Sequence, residues 1–260
     1  MAEIVHLEKQ NDIYLLTLNR PEKRNALSPE LIEALHRAID NIREDKKCKV
    51  LIFTGAGKAF CAGADLAYLQ ELSRYDESEN LADSQNLANL FEKIYQLPKI
   101  TIAMVNGPAL AGGCGLATCC DYIFANTEAT FGFTEVRIGF IPAIVMNFLI
   151  RKVPLHEARH LAMSGEIISA SDARSRGMVY QVCEMPTLRD ETMNFAGKLL
   201  TTNSFQAMIQ TKKLLHSLLD VPLAEGLKLA SEVNARSRKS EDCQRGLKSF
   251  LNKEKLQWRD

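Results

Sequence analysis

Two corners built from glycine and alanine constrain this chain most. The first is Phe60-Cys61-Ala62-Gly63-Ala64-Asp65-Leu66, and the second runs from Asn106-Gly107-Pro108-Ala109 through Leu110-Ala111-Gly112-Gly113-Cys114-Gly115-Leu116. Each follows an apolar, β-branched run that reads as a buried strand, Val50 to Thr54 and Ile100 to Val105, and each leads into a helix start. A strand-to-helix corner without bulky side chains leaves backbone N–H groups bare, and the helix dipole adds positive potential there. Two such corners facing each other could grip one carbonyl oxygen from both sides and stabilise charge developing on it, as an oxyanion hole does. Ordinary turns that need small residues for packing would leave the same pattern.

Around these corners the chain reads as α/β. Residues 4 to 19 predict two strands joined by a turn at Asn11-Asp12. Ser28 reads as a helix N-cap with Pro29 at the first helical position, and Leu31, Leu35, Ile39 and Ile42 share one face of a helix over 29 to 44. Residues 67 to 89 are polar and read as a loop or loose helix beside the corners. From Thr187 onward the pattern is helical only. The expected organisation is a core over residues 1–200 and a helical C-terminal region over 201–260, whose apolar stripes need a partner surface.

Composition narrows the function classes. Lys plus Arg equals Asp plus Glu at 32 each. That balance gives no general reason to bind nucleic acid or an anionic membrane. No signal peptide or bilayer-spanning run is read, so a cytoplasmic protein is expected. Seven cysteines follow no disulfide or zinc spacing. Cys61 and Cys114 read as small fillers, and Cys119-Cys120 as buried reduced thiols. His156-Glu157-Ala158-Arg159-His160 matches a zinc-peptidase helix pattern, but no third ligand is evident, and a solvated helix face accounts for it.

Four segments together resemble the enoyl-CoA hydratase/isomerase (crotonase) superfamily. They are Leu18-Asn19-Arg20-Pro21-Glu22-Lys23-Arg24-Asn25-Ala26-Leu27, the two corners, the stretch from Phe131-Gly132-Phe133-Thr134-Glu135 to Val136-Arg137-Ile138-Gly139, and Arg245-Gly246-Leu247-Lys248-Ser249-Phe250. The resemblance implies a spiral of β-β-α turns with a C-terminal helical oligomerisation region, a homo-trimer or hexamer, and an acyl-CoA substrate with no separate cofactor and no metal. It places the oxyanion N–H groups at Ala64 and Gly112, the acid/base at Glu135, and CoA contacts around Arg24, Ala26, Ala62, Asp65 and Leu66.

Two departures bear on the reaction. The resembled hydratases carry two glutamates, and the position of the first is Gly115 here, where a glycine in a helical context costs roughly 0.5–1 kcal/mol relative to alanine and so suggests that space is useful. The glycine-rich stretch after Pro142 is replaced by Ala143-Ile144-Val145-Met146-Asn147-Phe148, which should narrow the acyl pocket. One glutamate suffices for hydration of a 2-enoyl-CoA or for Δ3-Δ2 isomerisation. Sequence texture is nearest to the methylglutaconyl-CoA hydratase-like branch and favours hydration. An acyl-CoA binding protein without turnover is the third alternative. Phe131, Phe133, Ile138 and Phe140 should form an apolar surround that raises the Glu135 pKa, unless Arg137 or Arg151 pairs with it.

Overall fold

A computed structural model describes residues 3–258, apart from the side chain of Leu66. β1 (Val5–Gln10) and β2 (Ile13–Leu18) form an antiparallel hairpin. Asn11 makes its turn with a positive φ of 55°, a conformation asparagine tolerates better than most residues. α1 (Pro29–Glu44) starts where Ser28 accepts the Leu31 N–H, with Pro29 in the first turn, and it buries Leu31, Leu35, Ile39 and Ile42. β3 (Val50–Gly55) is buried along its whole length.

Two helices follow, α2 (Leu66–Leu72) and α3 (Glu77–Tyr95). Of the loop or loose helix expected over 67 to 89, the structure has the helix over most of the length. A capping box at Asp76 and Glu79 starts α3, and this local device outweighs the polar composition that suggested a loop. Tyr68 on α2 bonds Asp83 on α3 at 2.5 Å.

β4 (Ile100–Val105) leads to β5 (Ala109–Leu110) and α4 (Gly112–Thr118). Then come β6 (Tyr122–Asn126), β7 (Thr130–Gly132) and a 3-10 turn over Thr134–Ile138. α5 (Ala143–Leu149), α6 (Leu155–Ser164), β8 (Ile167–Ser169), α7 (Ala170–Ser175) and β9 (Gln181–Cys183) complete the core. α8 (Met185–Thr202), α9 (Phe205–Leu218), α10 (Leu223–Ser237) and α11 (Glu241–Leu251) end the chain.

The main sheet runs β1-β2-β3-β4-β6-β9, parallel from β2 onward, and a smaller sheet joins β5, β7 and β8. Parallel strands buried on both faces explain why β3 and β4 read as unbroken apolar runs. One face packs on α1, α3, α4 and α5 through Leu35, Phe53, Phe91 and Leu149. The other packs on α8 and α9 through Ile52, Ile102, Leu188 and Ile209. Both corners lie past the C-terminal ends of parallel strands, where open α/β sheets expose backbone donors. No helix among the described residues is long and apolar enough to cross a membrane.

Candidate active site

The segment from Arg20 to Leu27 holds the first corner in place. Asn25 is fully buried with a φ of 55°. Its Nδ2 donates to Ala56 O at 2.9 Å and Ala59 O at 2.8 Å, and its Oδ1 accepts the Arg20 N–H at 2.9 Å. The Arg20 guanidinium donates to Ala26 O at 2.8 Å and pairs with Asp65 at 3.1 Å. Asp65 also caps α2 by accepting the Ala67 N–H. Against the burial that would raise it, that N–H and Arg20 hold the Asp65 carboxyl below the usual range. Leu27 N–H donates to Gly63 O, and Asp65 N–H to Leu27 O, as Leu27 and Ala64 pair in a short parallel bridge. That pairing uses the Gly63 carbonyl and the Asp65 N–H, the groups on either side of Ala64. Among the described residues, nothing in the chain accepts the Ala64 N–H.

The second corner is set against the first. Gly63 has a φ of +92°, and a Cβ there would fall 2.9 Å from both Ala111 Cβ and Leu110 O and 3.5 Å from Gly112 N. Glycine is needed twice over, for the backbone conformation and for the close approach. Ala111 precedes α4 with φ 48° and ψ −124°, a strained conformation for a residue with a Cβ. Its N–H is tied to Gly132 O at 2.7 Å. Gly112 N–H is left without a chain acceptor among the described residues. The two free donors thus sit on adjoining corners that approach through Gly63.

The bond from Ala111 to Gly132 also fixes the third component. β7 ends at Gly132, and Glu135 lies in the 3-10 turn that follows. Glu135 is 9% exposed, and its Oε2 is buried with no hydrogen-bond partner. Burial raises its carboxyl above the ordinary 4.5. The Ala111–Gly132 bond brings the strand that leads into this turn beside the start of α4. The alternative ion pair is absent, because Arg151 pairs with Asp220 at 2.7 Å and Arg137 makes none among the described residues. Phe131 and Phe133 are buried as expected, whereas Ile138 and Phe140 are exposed, at 70% and 56%. The apolar surround of Glu135 in this chain is therefore thinner than the sequence suggested, because the backbone turns outward at Gly139, φ +76°.

Gly115 holds a surprise. The sequence suggested free space there, but a Cβ at Gly115 would fall on Val145 Cγ1, and lies 2.9 Å from Val145 Cβ and 3.1 Å from Phe91 Cε2. Sequence reasoning named Arg20, Asn25 and Val145 only within longer stretches, without a role of their own, and passed over Phe91; the polar pair carried a signal in its clustering beside the first corner.

The remaining expected positions are placed as follows. Arg24 is exposed with φ 51°, and its carbonyl accepts the Ala62 N–H. Ala26 is buried, and Leu66 opens α2, its side chain lying outside the described residues. Cys61 is pushed up to about 12 by burial, so it is no nucleophile. Asn147 bonds only to carbonyls of its own helix. In the histidine-rich helix, His160 pairs with Glu166 at 2.8 Å and Glu157 with Arg176, and no metal-binding cluster occurs among the described residues. Lys212 is buried and bonds Asp121 at 2.8 Å.

Cavity volume does not locate this site. A cleft of about 1240 Å³ lies at the other end of the sheet, beside Ile100, Tyr122, Lys212 and His216, and none of Ala64, Gly112 or Glu135 lines it. The unspent Ala64 and Gly112 N–H groups and the buried, unpartnered Glu135 Oε2 mark the candidate site instead.

Known proteins share this fold. The family profile described as enoyl-CoA hydratase/isomerase matches residues 8–260. A Thermus thermophilus protein provisionally named an enoyl-CoA hydratase is 38% identical, covering 96% of this chain and 98% of that protein. The mitochondrial enoyl-CoA hydratase of Pongo abelii is 34% identical over 97% of this chain and 85% of its own. Among solved structures, an enoyl-CoA hydratase of Mycobacterium smegmatis superposes with a TM-score of 0.93 at 27% identity, covering 99% of each chain.

Proposed function

Because this chain belongs to the enoyl-CoA hydratase/isomerase family, we propose that it is an acyl-CoA enzyme that adds water to a 2-enoyl-CoA, with Glu135 as acid and base. The family acts on acyl-CoA thioesters, and relatives named as hydratases include the crotonyl-CoA hydratase of Syntrophomonas wolfei, 31% identical. The observation that carries the reading is the orphaned Glu135 carboxylate next to two corners with unspent N–H groups at Ala64 and Gly112.

In this mechanism the thioester oxygen sits between the Ala64 and Gly112 donors. Glu135 takes a proton from water as the water oxygen bonds to C3 of the acyl chain. The electron pair of the C2=C3 bond moves towards the thioester, and the two N–H groups stabilise the enolate charge. Glu135 then returns the proton to C2. Each donor contributes on the order of 3 kcal/mol to the barrier reduction. The raised Glu135 pKa suits a group that must both take and give a proton. CoA is part of the substrate, and its contacts are assigned to the backbone near Arg24, Ala26, Ala62 and Leu66. Asp65 acts here by holding Arg20 and α2, and so the Ala64 corner.

One observation favours isomerisation as a second reading. With Gly115 filled by Val145, one carboxylate serves the site, and isomerisation needs only one: Glu135 removes a C2 proton from a 3-enoyl-CoA and delivers it to C4. We also propose a trimer-based assembly, supported by the exposed Leu215, Leu219, Leu223, Leu227, Phe250 and Leu251 on the C-terminal helices, and a cytosolic location. Turnover on matched 2-enoyl-CoA and 3-enoyl-CoA thioesters tests the function. Loss of the conjugated double bond of the 2-enoyl substrate is the expected result. Conversion of only the 3-enoyl substrate would select isomerisation, and no turnover of either would reject both.

A further inference from the structure

Gly115 follows Gly112 by three residues on α4, so both lie on one face of the helix. At Gly112 that face meets Leu27 and Gly63, beside the free N–H. One turn on, at Gly115, it meets Val145 and Phe91. A side chain at 115 would therefore project from the wall that continues from the oxyanion corner. Val145 fills that place instead. It is 4% exposed and stands on α5, whose Phe148 packs edge-on against Phe91 and Tyr95 of α3. A β-branched helical residue has essentially one side-chain rotamer. Rotation would in any case leave its Cβ 2.9 Å from the position of a 115 Cβ.

We infer that Val145 is a specificity-determining residue. Seated where a side chain at 115 would begin, it closes the acyl end of the site with hydrocarbon and leaves Glu135 as the one carboxylate acting on the acyl chain. The inference rests on the functional reading above. It implies that Gly115 and Val145 form an interlocked pair: a carboxylate enters at 115 only when 145 is emptied.

The test compares wild type, Gly115→Glu, Val145→Gly and the double variant on crotonyl-CoA and on a 3-enoyl-CoA, with circular dichroism and thermal melting as the check on folding. Gly115→Glu alone should lose at least tenfold in turnover and melt at lower temperature. The double variant should regain folding and shift the ratio of hydration to double-bond migration at least tenfold towards hydration relative to Val145→Gly. Gly115→Glu with Val145→Ala should recover less, because alanine keeps the obstructing Cβ. A Gly115→Glu protein that folds and turns over like the double variant would overturn the inference, as would a folded double variant with the ratio of Val145→Gly. If the double variant does not fold, Val145→Gly alone decides. Its KM for longer 2-enoyl-CoA thioesters should fall at least fivefold relative to crotonyl-CoA, and unchanged selectivity overturns the inference. A wild type inactive on both thioesters refutes the functional reading itself, whereas an active wild type whose variants break this pattern refutes the inference alone.

Discussion

Gly115→Ala sets two known effects against each other, and the structure decides the sign. Replacing a glycine inside a helix by alanine ordinarily stabilises by roughly 0.5–1 kcal/mol, because the unfolded chain loses less entropy. At this position the new methyl would land on Val145 Cγ1 and sit 2.9 Å from Val145 Cβ, with Phe91 Cε2 at 3.1 Å. Forcing a methyl into a packed core costs about 1–3 kcal/mol, and the usual escape by rotation is closed to a valine on a helix. Phe91 is fully buried and itself wedged against Phe148, so the wall can yield only by moving α5 off α4. The expected net effect is a destabilisation of about 1–2 kcal/mol, read by urea denaturation as a lower midpoint at unchanged slope. Adding Val145→Ala should recover part of the loss, giving a positive coupling in the double-mutant cycle. A Gly115→Ala protein as stable as wild type, or more so, would show that the α4–α5 contact is loose and that propensity governs this position.

Three further outcomes follow from the site. Glu135→Gln should be more stable than wild type at neutral pH although catalytically crippled: a carboxyl raised in the folded state supports folding below its unfolded value near 4.5 and loses that support as pH rises through the raised value, so in denaturation curves the stability gap should widen as pH rises from 4.5 through the raised value and then level off. Asn25→Ala leaves the carbonyls of Ala56 and Ala59 and the Arg20 N–H without their partner, and should cost about 3 kcal/mol or more while lowering kcat/KM through the Ala64 corner. Gly63→Ala should lower kcat by about 10²–10³-fold by pushing the Gly112 corner away, with calorimetry on acetoacetyl-CoA showing weakened binding by a folded protein.

The strands, α1 and both corners were legible because each is written locally. Ser28-Pro29 announces a helix, and Val50 to Thr54 and Ile100 to Val105 announce buried parallel strands. The capping box at Asp76 was equally local, but the polar face of α3 hid it. Glu135 could be picked out by resemblance, while its orphaned oxygen appears only when β7 is bonded to the second corner through Ala111 and Gly132. Gly115 was misread as useful space, since its reason lies 30 residues away, in a valine brought against it by the packing of α5 on α4. The histidine pair on α6 has metal-like spacing but was read as a solvated helix face; in the structure His156 is exposed, His160 contacts Glu166 and Glu157 pairs with Arg176. Local chemistry reads from sequence; close approach between distant elements does not.

The central claim is that Glu135, facing the Ala64 and Gly112 donors, moves the proton as water adds to an enoyl-CoA. Product analysis in oxygen-18 water addresses it most directly. Wild-type protein supplied with a 2-enoyl-CoA should yield 3-hydroxyacyl-CoA carrying one oxygen-18 in the new hydroxyl. Glu135→Gln, folded and still binding acyl-CoA, should form it about 10²–10⁴-fold more slowly. Labelled product formed by Glu135→Gln at the wild-type rate, or no labelled product from the wild type, would contradict the account.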